Sequence, residues 1–227
     1  MAKLISQALE VTKLVRELSR GPMVQLTRGE LDHCLVQATM KDAWSRGKGI
    51  RDFVGDRGLG SMTPSQIGIM GELAVSKYFN FYPDLEWGMK KDHKHYDLMG
   101  IRGDRIEVKT TTQLKKREII IKSKWKPGEG KYSVELFSDE YVWVKMEHMR
   151  PVHNELDIVQ KYEYLVPPNF YLVGRMDQET YRENRVINGM GKCKYTGKEY
   201  VDTWKVDQSV LKNIFPQSIY GKAWNTK

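Results

Sequence analysis

Cysteine is almost missing from this chain: two residues, Cys34 and Cys193, stand far apart in unlike surroundings. That excludes a disulfide framework and the paired-ligand spacing of a structural zinc site, and it fits a reducing compartment. Long apolar runs are missing too. No segment reaches the ~18 consecutive apolar residues of a membrane span. The opening "MAKLISQALEVTKLVREL" places Glu10, Lys13 and Arg16 where a signal peptide needs an unbroken apolar stretch. A soluble, unexported, cytoplasmic protein is therefore expected. Acidic residues are in deficit, 29 against 37 Lys plus Arg, giving a net charge of +8 and a pI near 9.3, so a polyanion is the first partner to consider. Repeats, heptads and low-complexity tracts are absent. "GMGKC" is no phosphate-binding P-loop, since its first glycine is misplaced and no Ser or Thr follows the lysine.

What is present argues for a folded core. Hydrophobic residues make up 40% of the 227 residues and aromatics 11%, with six tryptophans, too much apolar surface for a solvated coil. From Leu4 to Leu18 the apolar positions recur at helical spacing, and Gly21 and Pro22 end the pattern. A second helix starts after Thr27, an N-cap with Glu30 three residues on. "SRGKGIRDFVGDRGLGSMTPS" then brings five glycines among basic residues, a solvated connector or a basic strap across a nucleic acid backbone. The strongest helix start follows: Thr63 as N-cap, Pro64 at the first helical position and Gln66 completing a capping box. Ile67, Met70, Leu73, Ala74 and Phe79 form its buried stripe, with Glu72 beside it. The reading divides the chain into a helical amino-terminal region with a basic linker, 1–60, and a larger domain with a β-rich extension, 61–227.

Strand patterns occupy Leu85–Met89 weakly, Tyr96–Ile101, Arg105–Thr111, "REIIIKSKW", "EYVWVKM", "KYEYLVPPNFYLVGRM" and "EYVDTWKVD". Val134–Phe137 fits a helix or a strand, and a polar, glycine-bearing stretch runs from Tyr181 to Lys198. Within "HYDLMGIRGDRIEVKTTTQ", charged Asp97, Glu107 and Lys109 lie among Leu98, Ile106 and Val108. Strand alternation puts Glu107 and Lys109 on one face. A three-residue loop of Arg102, Gly103 and Asp104 would pair Asp97 with Lys109 on that same face. If Glu72 lies over them, two carboxylates about 4 Å apart repel by roughly 4 kcal/mol at an effective dielectric of about 20. One lysine cannot offset three acids, so the cluster holds protons or binds a hard divalent cation. The bland reading is a cross-strand ion pair contributing at most about 1 kcal/mol.

This pattern, a helix bearing Glu72, Asp97 opening a strand and "EVK" at 107–109 in the next, resembles the PD-(D/E)XK nuclease superfamily over about Thr63 to Met146. Tyr96 stands where the pattern has proline, and the helix expected between the third and fourth strands is not evident. Asp92 with Lys94 and Glu129 with Lys131 share the acid-x-Lys spacing but lack apolar strand neighbours. The resemblance implies a mixed α/β, restriction-endonuclease-like αβββαβ core with a central mixed sheet and a helical amino-terminal addition. It further implies a magnesium-dependent DNA endonuclease, with manganese substituting. Asp97, Glu107 and the Val108 carbonyl would ligate the metal, Glu72 would reach it directly or through water, and Lys109 would orient or help deprotonate the attacking water.

Thr110, Thr111, Gln113, Lys115, Lys116 and Arg117 follow as candidate DNA contacts, most naturally to double-stranded DNA. Tyr195, Tyr200 and Trp204 among basic residues from Arg182 to Lys205 suit either a DNA-contacting lobe or a hairpin with inward aromatics. His93 and His95 are read as exposed histidines near the phosphate path. Two-strand cleavage would favour a homodimer. Two alternatives stay open: a non-catalytic DNA-binding protein retaining the fold, and a Holliday-junction-type resolvase.

Overall fold

The structure, a computed structural model, describes residues 21–47, 64–81, 96–122, 124–126, 131–133, 138–147, 167–187 and 203–214, with Leu14 and Leu18 as isolated helical positions. The remainder of the Leu4–Leu18 helix, most of the glycine-rich connector, Thr63, the Leu85–Met89 strand, His93, His95, Val134–Phe137, Tyr195 and Tyr200 lie outside these residues. Among the described residues no helix is long and apolar enough to cross a membrane.

Strand β1 (Met23–Gln25) leads into helix α1 (Arg28–Gly47). Thr27 and Glu30 form the expected reciprocal cap: Thr27 Oγ1 accepts the Glu30 N–H at 3.3 Å and Glu30 Oε2 accepts the Thr27 N–H at 2.6 Å. Helix α2 (Pro64–Phe79) starts on its proline and stops where Asn80 turns to φ 54°. There the Phe81 N–H reaches back to the Ser76 carbonyl at 2.9 Å, a Schellman-type closure that satisfies a helix-end carbonyl.

The remaining strands are β2 (Leu98–Met99), β3 (Arg105–Thr111), β4 (Glu118–Lys122), β5 (Lys124–Lys126), β6 (Lys131–Ser133), β7 (Glu140–Met146) and β8 (Asn169–Asp177). After the short α3 (Gln178–Asn184) come β9 (Val186–Ile187) and β10 (Thr203–Asp207). The architecture is mixed α/β around a five-stranded sheet in the order β1-β8-β7-β3-β2. It is a mixed sheet because β3 runs parallel to β7 while its other pairings are antiparallel. A parallel pair needs a crossover, and among the described residues this one carries β4, β5 and β6. β4 pairs with β10 in a second sheet, β4-β10-β9.

Alternation along β3 and β7 sends side chains to two different cores. Ile106, Val108, Val142, Val144 and Met146 pack under α1 and α2, with Leu31, Cys34, Ala38, Met70, Ala74 and Phe79. Tyr141 and Trp143 face the other way, against Ile119, Ile121, Val206 and Tyr181 of the second layer. At about 25 cal/mol per Å² of apolar area removed from water, these two interfaces are the main force holding the sheet.

Four readings are corrected. Met23–Gln25, unassigned from sequence, is an edge strand on β8, and Val24 and Leu26 join the core shared by α2 and β3. The strand expected over Tyr96–Ile101 is paired only at Leu98–Met99. The hairpin loop does have three residues, but they are Ile101, Arg102 and Gly103: the Gly100 N–H reaches the Asp104 carbonyl at 2.8 Å and Gly103 sits at φ 82°. In such loops the left-handed residue comes last, so the glycine fixes the register. Leu98 therefore pairs with Ile106, two residues from the expected alignment, and Asp97 does not pair with Lys109. The stretch after Tyr181, read as a polar separator, includes the end of α3 and β9.

Candidate active site

Glu72 reaches the hairpin because of its neighbour. A Cβ at Gly71 would fall 1.8 Å from Thr110 Oγ1, so only glycine lets α2 come this close to β3. The next residue, Glu72, is delivered half-buried beside Asp97. Burial chiefly, then the charge of Asp97, push the Glu72 carboxyl up to about 8, against the opposing pull of Lys41 and Lys109.

Asp97 sits on the edge of β3. Its backbone N–H donates to the Ile106 carbonyl at 2.9 Å, and its Oδ2 accepts the Val108 N–H at 2.7 Å. The carboxylate thus takes the ladder position that a longer β2 would fill. In an extended strand the N–H and C=O of one residue leave on the same edge, so the Val108 carbonyl faces the side Asp97 occupies. Burial, with the Glu107 charge second, pushes Asp97 up to about 6, while Lys109 and the Val108 hydrogen bond act the other way.

Glu107 and Lys109 lie on one face as alternation requires, and the Lys109 ammonium donates to Glu107 Oε1. Ser138, buried at the mouth of β7, donates to Glu107 Oε2 at 3.5 Å. Burial works against the Lys109 ammonium, but the charges of Glu107 and Asp97 outweigh it and hold its pKa above the ordinary lysine value. Tyr141 pairs with Glu107 across the β3–β7 ladder. Burial and the Glu107 charge push its phenol up, so it stays protonated at neutral pH.

Two contributors were missed in the sequence. Ser138 gives no periodic signal. Lys41 does: the buried stripe of α1 runs Leu31, Cys34, Ala38, and the next position at helical spacing is a lysine. Its charge acts on both Glu72 and Asp97. Cys34 on the same stripe is fully buried, and burial with the Glu72 charge pushes its thiol up to about 12, making it inert packing.

The candidate DNA contacts do not share one surface. Thr110 turns inward against Gly71, and its buried Oγ1 has no hydrogen-bond partner among the described residues. Thr111, on the Glu107 face, accepts the Gln113 N–H at 3.2 Å. Gln113 and Lys115 are exposed and Lys116 is half-exposed in the following turn. Arg117 pairs with Asp207 at 3.6 Å. Lys145, fully buried, anchors this turn by donating to the Leu114 carbonyl at 2.7 Å. Trp204 packs against the second core with Arg185 stacked 4.4 Å from its ring centre.

Hard carboxylate oxygens on three elements, with a strand-edge carbonyl, suit magnesium or manganese in kind. Among the described residues no three acidic, His or Cys side chains stand close enough to clasp an ion as they lie, and Glu107 is turned to Lys109. Comparison with protein-family models, curated proteins and solved structures gives no match.

Proposed function

We propose that this chain is a divalent-metal-dependent DNA endonuclease with a restriction-endonuclease-like core. The observation that carries the reading is the Asp97 carboxylate held on the Val108 N–H beside the Glu107–Lys109 pair, with Glu72 delivered from α2. The order α2, hairpin β2–β3, then parallel β7 supports the same reading.

Asp97, Glu107, the Val108 carbonyl and Glu72 would hold the ion, which when bound polarises the scissile phosphate and lowers the pKa of a water. The chain's own groups do the rest. Asp97 is positioned by a backbone N–H, so its carboxylate needs no rearrangement to present its second oxygen. Lys109, kept as an ammonium by its acidic neighbours, orients the attacking water and neutralises phosphate charge. Ser138 steadies Glu107 against rotation. The net positive charge of the chain draws DNA to the site.

Purified protein incubated with plasmid DNA in magnesium, manganese or chelator tests this: nicking or linearisation in metal and none in chelator is expected. Intact plasmid under every metal condition would remove the nuclease reading. The closed Glu107–Lys109 pair is the observation favouring the second reading, DNA binding without cleavage, and the same assay run beside a gel-shift separates the two.

A further inference from the structure

The α1 stripe carries one lysine whose charge acts on Glu72 and Asp97. Leu31, Cys34 and Ala38 are buried against α2, and Lys41 continues that line half-buried rather than pointing into open solvent. A lysine in a buried stripe is costly unless its charge is used. Here that charge acts on Glu72 and Asp97; with all three acids ionised, as a bound cation would hold them, Glu72, Asp97 and Glu107 supply three negative charges while Lys109 and Lys41 supply two positive ones. The balance is one net negative charge. A divalent ion and a phosphodiester together add one positive charge and bring the loaded site to neutrality. Without Lys41 the metal-loaded pocket would be neutral rather than positive, and the bound phosphate would leave it with one net negative charge.

We propose that Lys41 is a phosphate-binding residue of this site, holding the DNA backbone from α1 while Lys109 approaches from β3. The assignment rests on the nuclease reading above and adds to it a clamp built from two elements. Because Lys41 contributes charge to binding, its loss acts on KM more than on kcat, the reverse of what is expected for Lys109.

The test measures binding of a fluorescent duplex by anisotropy, with calcium replacing magnesium, across a salt series for wild type, Lys41→Gln, Lys41→Arg and Arg28→Gln. Arg28 lies at the far end of α1 in an exposed pair with Asp32 and serves as the control. Lys41→Gln is expected to bind several-fold more weakly and to lower the slope of log K against log salt by about 0.9, the signature of one lost phosphate contact. Lys41→Arg should restore the slope, and Arg28→Gln should leave it unchanged. Thermal melts check that each variant is folded; should Lys41→Gln fail to fold, Lys41→Met, which keeps the apolar stem, takes its place. A wild-type slope in the charge-removing variant, beside a wild type that cleaves plasmid, would overturn the role of Lys41 alone. A wild type that neither binds nor cleaves DNA would overturn the nuclease reading with it.

Discussion

Strand β3 carries two sets of charges that behave in opposite ways. At its start, Arg105 and Asp139 form a two-pronged pair, with Arg105 Nε and Nη2 donating to Asp139 at 3.0 and 2.8 Å, and the Arg105 N–H adding a third bond at 2.8 Å. The hydrogen bond to Arg105 leads in lowering the Asp139 pKa and the one to Asp139 leads in raising the Arg105 pKa, so each stabilises the other's charge. Two residues further on, Glu107 and Lys109 are also paired, yet the acids gathered around them are pushed upward by burial first and then by a neighbouring carboxylate, Glu107 for Asp97 and Asp97 for Glu72. A matched pair is structural. A cluster with more negative charge than its lysines can meet holds unfavourable energy that a cation or a proton relieves, which is how a site differs from an ion pair on the same strand.

The largest expected contrast is in cleavage. Asp97→Ala or Glu107→Ala should reduce metal-dependent plasmid cleavage to background while circular dichroism stays that of the wild type; retained activity in both would dissolve the distinction between the two sets. Lys109→Ala should lower kcat by about 10²–10⁴, the range for loss of a positioned proton-handling group, read from single-turnover rates at saturating DNA.

The next effect is on stability against pH. Glu72 and Asp97 keep protons in the fold to higher pH than in the unfolded chain, whereas the lowered carboxyls of Glu30, Asp139, Asp177 and Asp207 act the opposite way only near and below their ordinary range. From about pH 5 to about pH 8 the native state is thus the more protonated one. Stability without added metal should therefore fall as pH rises through that window. Magnesium should recover it at the alkaline end, and Glu72→Gln should flatten the dependence while weakening the magnesium response. Thermal melts across pH with and without magnesium measure all three; a melting temperature that rises from about pH 5 to about pH 8 would contradict the crowded cluster. The smallest effect belongs to the balanced pair. Arg105 and Asp139 are each 42% exposed at the side chain, so the double variant Arg105→Ala/Asp139→Ala should cost at most about 1 kcal/mol in urea unfolding and leave cleavage intact.

Parts of this architecture were legible residue by residue. Arg105–Thr111 and Glu140–Met146 were read with the bounds they have, because strict alternation of branched and charged residues in the first and a branched and aromatic run in the second leave one local solution. Pro64–Phe79 was equally plain from its first-turn proline and apolar stripe. The hairpin register was not, since the loop sequence permits the glycine at more than one position and only the closed turn selects one. β1 was not, because three residues carry no measurable period and acquire strand form only from pairing with β8. Thr110 looked like a phosphate contact because its chemistry is visible in the sequence and its inward packing on Gly71 is not.

The sequence by itself determined which residue types stand on which strands: an acid and a lysine alternating on β3, an acid opening the hairpin, an acid on α2. These follow from periodicity and composition, which act over a few residues. Only the tertiary structure decided that Glu72 enters over a missing side chain at Gly71, that Asp97 lies along the strand edge, and that Lys41 arrives from α1. Those convergences join positions tens of residues apart, and they are set by helix-to-sheet distance and turn geometry.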